Sequence, residues 1–446
     1  MSWLAATTLR RAGRRSRDVQ GEPAGVTRML EAGRREATIR LVSRLSRFSI
    51  FPRNSKYPLS LMSPASKYDR VSNIPSCHST TMHSKIKTHI FLTGATGYIG
   101  GSVLTRLLSH PLSDTFHTTV LVRESEKATQ FRKMGIQAVV GTYSDLELLK
   151  QLASKADLVI ACVDADDLSA ANAILEGLKE RHEQTGQVPS LIHTSGTGVL
   201  IDDARGMYAS DTVYNDLNIS QLESIPSTQP HRNVDLAIVE ADTEGYVKTY
   251  IILPPTIYGR ATGPLVDAGL QNPRSQQIPQ LVDVAVSRSR AGYFGKGANI
   301  WSNVHIADLA TLYTLLLELI IPHEPTERAR SEEPAPSRPR TPVILDHSLF
   351  THGAHGFYFA ENGEHTLLSV AEAIGQAMFD AGRATDPEPS PFSADEVQKY
   401  FNGVTKFLDS NSRCKADRAK KLGWKPKKTT KELYSSIKQE LKSSIS

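Results

Sequence analysis

A doubly wound α/β domain, a parallel sheet covered by helices on both faces, is the fold predicted for residues 86–440. Three observations predict it. A short β-branched strand at 88–92 runs through a glycine-rich turn straight into a helix pattern, apolar strands and amphipathic helices then alternate along the chain, and strand-like segments resume after residue 350. Length allows two or three domains, yet one such core with a small C-terminal α/β lobe fills it.

The first strand, Thr88 to Leu92, leads into Thr93-Gly94-Ala95-Thr96-Gly97-Tyr98-Ile99-Gly100-Gly101 and the helix pattern SVLTRLLSH. Strand, glycine turn and helix in that order form a dinucleotide-binding fingerprint of the Rossmann type. Gly94 permits the tight turn, Gly97 the approach of a pyrophosphate, and Gly100 close packing of helix on strand, while the helix N-terminus attracts phosphate. Thr96, Tyr98 and Ile99 complete the expected cofactor contacts.

The second strand, Thr118 to Val122, ends in Arg123, where an Asp or Glu would bind the ribose 2′-hydroxyl of NAD. An arginine there suits a 2′-phosphate and Lys127 adds charge, so NADP is expected ahead of NAD. The other reading makes Arg123 a solvated residue that stacks on adenine without selecting. A third strand, Ala138 to Gly141, precedes Asp145, which either reaches the adenine amino group or caps the helix LELLKQLAS. The fourth strand lies within 157–163 and the fifth is Ser190 to Ser195.

Beyond this point HTSGTG at 193–198, ILPPTIYG at 252–259, WSNVHIADLA at 301–310 and NSRCKADRAKKLGWKP at 411–426 join the glycine motif. On these segments the chain resembles the extended and atypical branch of the short-chain dehydrogenase/reductase superfamily, which contains NAD-dependent epimerases, dehydratases and dihydroflavonol reductases. The resemblance covers nearly all of 86–440. It implies a Rossmann core over 86–260 and a substrate lobe over 261–440 interleaved with it. It also places Pro254 and Pro255 near the nicotinamide, and has the segment around Asp308 link lobe to core.

The catalytic pattern departs from that family. Its members use a Ser or Thr after the fifth strand and a Tyr-x3-Lys pair on the next helix, where the lysine charge lowers the tyrosine pKa. Here that helix begins His231-Arg232-Asn233-Val234-Asp235, with neither residue; Tyr434-x3-Lys438 lies far along the chain and is a coincidence. In one reading His231 and Asp235, four apart on one helix face, replace the pair, with Asp235 holding an imidazole that donates the proton. In the other the domain binds dinucleotide without efficient turnover, as a regulator resembling the fungal nitrogen-control repressors, and His231 merely starts a helix. Ser195 is the preferred hydroxyl after the fifth strand, although Gly196 may be read as occupying the family's serine position; a loop hydroxyl bonding local backbone is the plainer role for Ser195. Tyr208 and Tyr214, in the polar stretch 199–227, are remoter proton donors.

The expected function is an NAD(P)-dependent oxidoreductase acting on a small carbonyl or alcohol, with a non-catalytic regulator or a sugar epimerase/dehydratase as alternatives. No Arg-x-Gly-Asp segment supports a nucleotide-sugar substrate. Residues 1–81 hold 13 Arg and 2 Lys against 2 Asp and 3 Glu, a surplus of ten positive charges in a chain of net +5, so the remainder is net negative by five. That balance argues against a nucleic-acid surface. The leader is expected to be disordered. It either lies upstream of a start at Met82 in a cytoplasmic protein or acts as a mitochondrial transit peptide, a reading that Glu22, Glu31 and Glu36 weaken. The Pro- and charge-rich insertion at 322–342 is expected to be a disordered loop. The cysteines, Cys77, Cys162 and Cys414, lack metal-site spacing, and no run reaches the roughly 20 apolar residues of a membrane span. A small-molecule substrate and a homodimer are the partners the resemblance allows.

Overall fold

The computed structural model describes residues 87–321, 346–405 and 407–445; the Arg-rich leader and the insertion at 322–342 fall outside them. A seven-stranded sheet forms the centre. Its strands are β1 (Thr88–Leu92), β2 (Phe116–Val122), β3 (Gln137–Val140), β4 (Leu158–Ala161), β5 (Ser190–Thr194), β6 (Lys248–Leu253) and, much later in the chain, Phe357–Phe359. From one edge the order is Phe357–Phe359, β6, β5, β4, β1, β2, β3, and every pairing is parallel. The strand order reverses between β1 and β4, the switch point at which open α/β sheets place ligands beyond the strands' carboxyl ends.

Parallel strands covered on both faces are apolar throughout. All four residues of β4 are buried, as are Ile90, Phe91 and Leu92 of β1. The crossover helices are α1 (Tyr98–Leu108), α2 (Ser125–Lys133), α3 (Leu146–Ala153), α4 (Leu168–Thr185) and α5 (Arg232–Thr243). Their boundaries follow local chemistry. Asp167 caps α4 by accepting from Ala170 N at 3.0 Å, and Gly186, in the left-handed region at φ 70°, ends it.

The smaller lobe has its own core. Helices α6 (Gln277–Arg288), α8 (Leu367–Asp380) and α9 (Thr430–Ile445) enclose Leu281, Val282, Ile374, Met378 and Ile437, among others. A three-stranded sheet, Glu364–Thr366 with β8 (Ile300–His305) and β7 (Thr256–Tyr258), lines the junction. Helix α7 (Ile306–Ile320) returns to pack on α1. Its buried Asp308 accepts from the backbone N–H groups of Lys427 and Lys428 at 3.0 and 2.8 Å, while Trp424 Nε1 donates to the Asp308 carbonyl at 3.0 Å. These bonds provide the lobe-to-core link expected around Asp308. Tyr434 and Lys438 lie on α9 in the lobe, where Lys438 pairs with Asp380 at 2.9 Å. Among the described residues no helix is long and apolar enough to cross a membrane.

Candidate active site

The glycine turn crosses the switch point at the carboxyl ends of β1 and β4. Gly94 adopts φ 75°, and a Cβ there would lie 2.4 Å from the Cys162 carbonyl at the end of β4. A Cβ on Gly100 would lie 2.3 Å from the Gly94 carbonyl, so only glycine lets α1 start this close to the turn. No side chain caps α1 and its first turn carries no acid, which leaves backbone N–H groups and the positive end of the helix facing the crevice. Ala95 is buried and the Thr96 carbonyl accepts from Asn272 N at 2.9 Å, which fixes the outer side of the turn. Tyr98 and Ile99 stand at the helix start; the Tyr98 hydroxyl donates to the Gly259 carbonyl, so its phenol is engaged in holding that loop.

On the other side of the glycine turn, Arg123 is exposed at the tip of β2. The Lys127 ammonium pairs with Glu124 Oε1 at 2.9 Å, one turn away. Asp145 takes the capping role, accepting from Leu148 N at 3.4 Å at the start of α3.

At the carboxyl ends of β5 and β6 the loops that follow are stitched together. Ser195 N donates to the Ile252 carbonyl at 2.9 Å and Thr197 N to the Pro254 carbonyl at 3.1 Å, so buried Pro254 borders the serine loop. His231 enters α5 beside them with a left-handed backbone, φ 66°, a strained conformation for a non-glycine residue. The strain is balanced by one carboxylate. Asp166 Oδ1, from the loop after β4, accepts from the His231 backbone N–H at 3.0 Å and pairs with Nδ1 at 2.7 Å.

The expected orienting residue therefore changes. Asp235 does not hold the imidazole; it lies one helix turn inward, wholly buried, and its Oδ2 accepts from the Ser195 hydroxyl at 3.1 Å. Four residues of helix separate His231 from Asp235, but the left-handed His231 lies outside the regular helix, and its ring turns toward the β4 loop instead. Asp166 lies in the run Asp164-Ala165-Asp166-Asp167, which the sequence reading does not single out. The signal available was an acidic cluster directly after the strand at the switch point.

The far side of the imidazole is defined by two glycines. A Cβ on Gly198 would lie 2.9 Å from His231 Nε2, and one on Gly196 3.3 Å away. Burial pushes Asp235 up to about 7, against the pull of the Ser195 hydrogen bond and the Arg232 charge. Burial, then the neighbouring His231, pushes His193 down to about 3. Tyr313, Thr194 and Cys162 form a buried chain behind β5, with Thr194 Oγ1 2.6 Å from the Tyr313 hydroxyl and 3.4 Å from Cys162 Sγ. Burial lifts that thiol to about 11, so it stays protonated and is no nucleophile. Tyr208 is exposed, and Tyr214 pairs in a short parallel bridge with Cys414. Among the described residues no group of three or more His, Cys, Asp or Glu side chains is arranged to hold a metal.

Residues 86–181 match the NmrA-like family. An oxidase of Acremonium sp is 31% identical over 347 residues, 76% of this chain and 92% of its own length. A 4-hydroxy-2-methyl-3-oxo-4-farnesyl-3,4-dihydroquinoline-1-oxide ketoreductase of Stigmatella aurantiaca is 22% identical over 226 residues, 49% of this chain and 61% of its own. Among solved structures, UDP-glucose 4-epimerase of Thermotoga maritima superposes with a TM-score of 0.52 at 14% identity, covering 80% of this chain and 100% of that one. The dTDP-glucose 4,6-dehydratase of Bacillus anthracis, solved with NAD, gives a TM-score of 0.50 at 14% identity over 80% of this chain and 97% of its own. The strand order, the glycine turn and the near-complete alignment with the Acremonium oxidase agree: the chain belongs to the extended short-chain dehydrogenase/reductase superfamily, together with the NmrA-like proteins.

Proposed function

We propose that the protein is an NAD(P)-dependent oxidoreductase acting on a small carbonyl or alcohol, with His231 in place of the family's tyrosine. The observation that carries this reading is the imidazole held by Asp166 through Nδ1, with Nε2 lying against Gly196 and Gly198 beside the serine loop. The residues fit a dinucleotide: the uncapped, acid-free start of α1 offers amide donors to a pyrophosphate, and Arg123 stands where a 2′-phosphate would lie. When bound, the dinucleotide exchanges hydride with the carbonyl carbon. The names of the Acremonium oxidase and the Stigmatella ketoreductase support redox chemistry.

His231 Nε2 holds the proton that the substrate oxygen takes in the reductive direction. Asp166 fixes the tautomer with Nδ1–H toward itself and stabilises the imidazolium, the division of labour of an aspartate–histidine couple. Ser195, tethered to Asp235, orients the substrate from below. Glu124 beside Arg123 tempers the preference for NADP over NAD, since it brings a carboxylate to the ribose corner while neutralising Lys127.

The test is turnover. A panel of aldehydes and ketones is offered with NADPH and NADH to wild type, His231→Gln and Asp166→Asn, with cofactor affinity measured alongside. Loss of about 10²- to 10⁴-fold in kcat for His231→Gln at unchanged cofactor affinity is expected. The second reading, a regulator that binds dinucleotide without turnover, draws on the absence of tyrosine and lysine from α5. Tight cofactor binding with equal background rates in wild type and His231→Gln would favour it.

A further inference from the structure

Helix α1 has a second polar face, away from the dinucleotide crevice. Arg106 lies eight residues beyond Tyr98, about 12 Å further along the helix axis. There α1, the loop 259–263, the start of α7 and the flank of α9 enclose a cavity of about 630 Å³. Arg106, Arg260, Lys428 and His305 line it, with Glu432 the sole acid and hydroxyls from several Ser and Thr residues.

The cationic donors there, Arg106, Arg260 and Lys428, have no carboxylate partner among the described residues: Arg260 Nη1 bonds the Ser443 hydroxyl at 3.0 Å, and Arg106 Nη2 reaches the Ala307 carbonyl at 3.5 Å. Glu432 is turned back on its own helix start, accepting from Thr429 N at 2.7 Å and Thr429 Oγ1 at 2.8 Å.

His305 makes the shortage sharper. Its Nδ1 accepts from Ala307 N at 3.1 Å, which puts the ring proton on Nε2, and that nitrogen lies 3.2 Å from Lys428 Nζ. Burial and the Lys428 charge together push this histidine down to about 4, so the ring is neutral near pH 7. Two donors thus meet at 3.2 Å with no acceptor between them, and an anionic oxygen seated beside the pair in the cavity would accept from both. The first turn of α7 lies at the same wall, but Asp308 in that turn offsets its positive end, so the basic side chains carry the site.

We infer that this cavity binds a phosphate group, free or carried by a small phosphorylated metabolite, through Lys428, Arg106, Arg260 and the Nε2–H of His305. The site is separate from the dinucleotide crevice and needs no turnover to be tested.

The experiment is calorimetric titration of the full chain with inorganic phosphate and with glucose 6-phosphate at constant ionic strength. It is run on wild type, Lys428→Gln, Arg106→Gln and, as a control at the dinucleotide site, Arg123→Ala. Saturable binding that weakens at least tenfold in Lys428→Gln and Arg106→Gln but survives in Arg123→Ala supports the site. Tighter binding of glucose 6-phosphate then identifies a phosphomonoester ligand, and equal binding identifies the free anion. Thermal melting without ligand checks that the variants are folded, as their exposed or half-buried side chains lead us to expect. Absence of saturable binding to wild type, binding unchanged by both substitutions, or binding lost only in Arg123→Ala overturns the inference.

Discussion

At the scale of single residues the proposed chemistry rests on His231 and the groups around it. Because Gly198 leaves only 2.9 Å between a would-be Cβ and Nε2, Gly198→Ala should swing the imidazole off Asp166. Activity should then fall toward that of His231→Gln while stability, measured by urea unfolding, changes by less than about 1 kcal/mol, since a ring edge rather than backbone must move. Asp235 offers a pH test. An unfolded aspartate titrates near 4, whereas the buried carboxyl titrates at about 7. The native state therefore binds this proton more tightly: its contribution to stability is complete below about pH 4 and is lost as pH rises through 7. Asp235→Asn, which keeps an acceptor for Ser195, should remove that slope and unfold at higher urea than wild type at pH 8, by up to about 4 kcal/mol at about 1.4 kcal/mol per pH unit. Equal slopes in the two proteins would mean that the carboxyl is not held neutral. His231 and Ser195 were legible in the sequence as candidates. Their true partners were not, because a left-handed residue at a helix start cancels the i to i+4 geometry that sequence spacing assumes.

Elements were read more reliably than partners, and the reason is periodicity. Thr88–Leu92, the helix after the glycine turn, the helix at 146–153 and the strand at 357–359 each show in the apolar pattern, which burial on both faces of a parallel sheet enforces. The short strand Phe357–Phe359 shows the limit. Its apolarity marked it as a strand, but its place beside β6 in the central sheet, more than 100 residues later in the chain, is set by tertiary packing. The start of α1 is the element that matters most for function. No side chain caps it, which under the proposed function leaves its amides for a phosphate. Gly97→Asp would supply a capping carboxylate at that start, yet place a negative charge where the pyrophosphate lies. Cofactor affinity by fluorescence titration should drop at least tenfold, about 1.4 kcal/mol, with little loss of helix content by circular dichroism.

The molecule as a whole is a Rossmann core joined to a small lobe through apolar packing of residues 414–424 and through buried polar contacts. Asp308 is the principal fastening, since one carboxylate oxygen serves the N–H groups of both Lys427 and Lys428. Asp308→Ala should leave those donors unmatched and lower stability by about 2–3 kcal/mol in chemical denaturation; a loss below about 0.5 kcal/mol would mean that the lobe is held by its apolar contacts alone. The central claim, that His231 stands as proton donor over the nicotinamide, is tested most directly by a crystal structure with NADP bound. The account predicts the nicotinamide ring beside the 195–198 loop, with His231 Nε2 within about 3 Å of an oxygen placed on the carbonyl carbon above C4 and Nδ1 still on Asp166. A nicotinamide lodged elsewhere, or an imidazole out of hydrogen-bond reach of that oxygen, would contradict it.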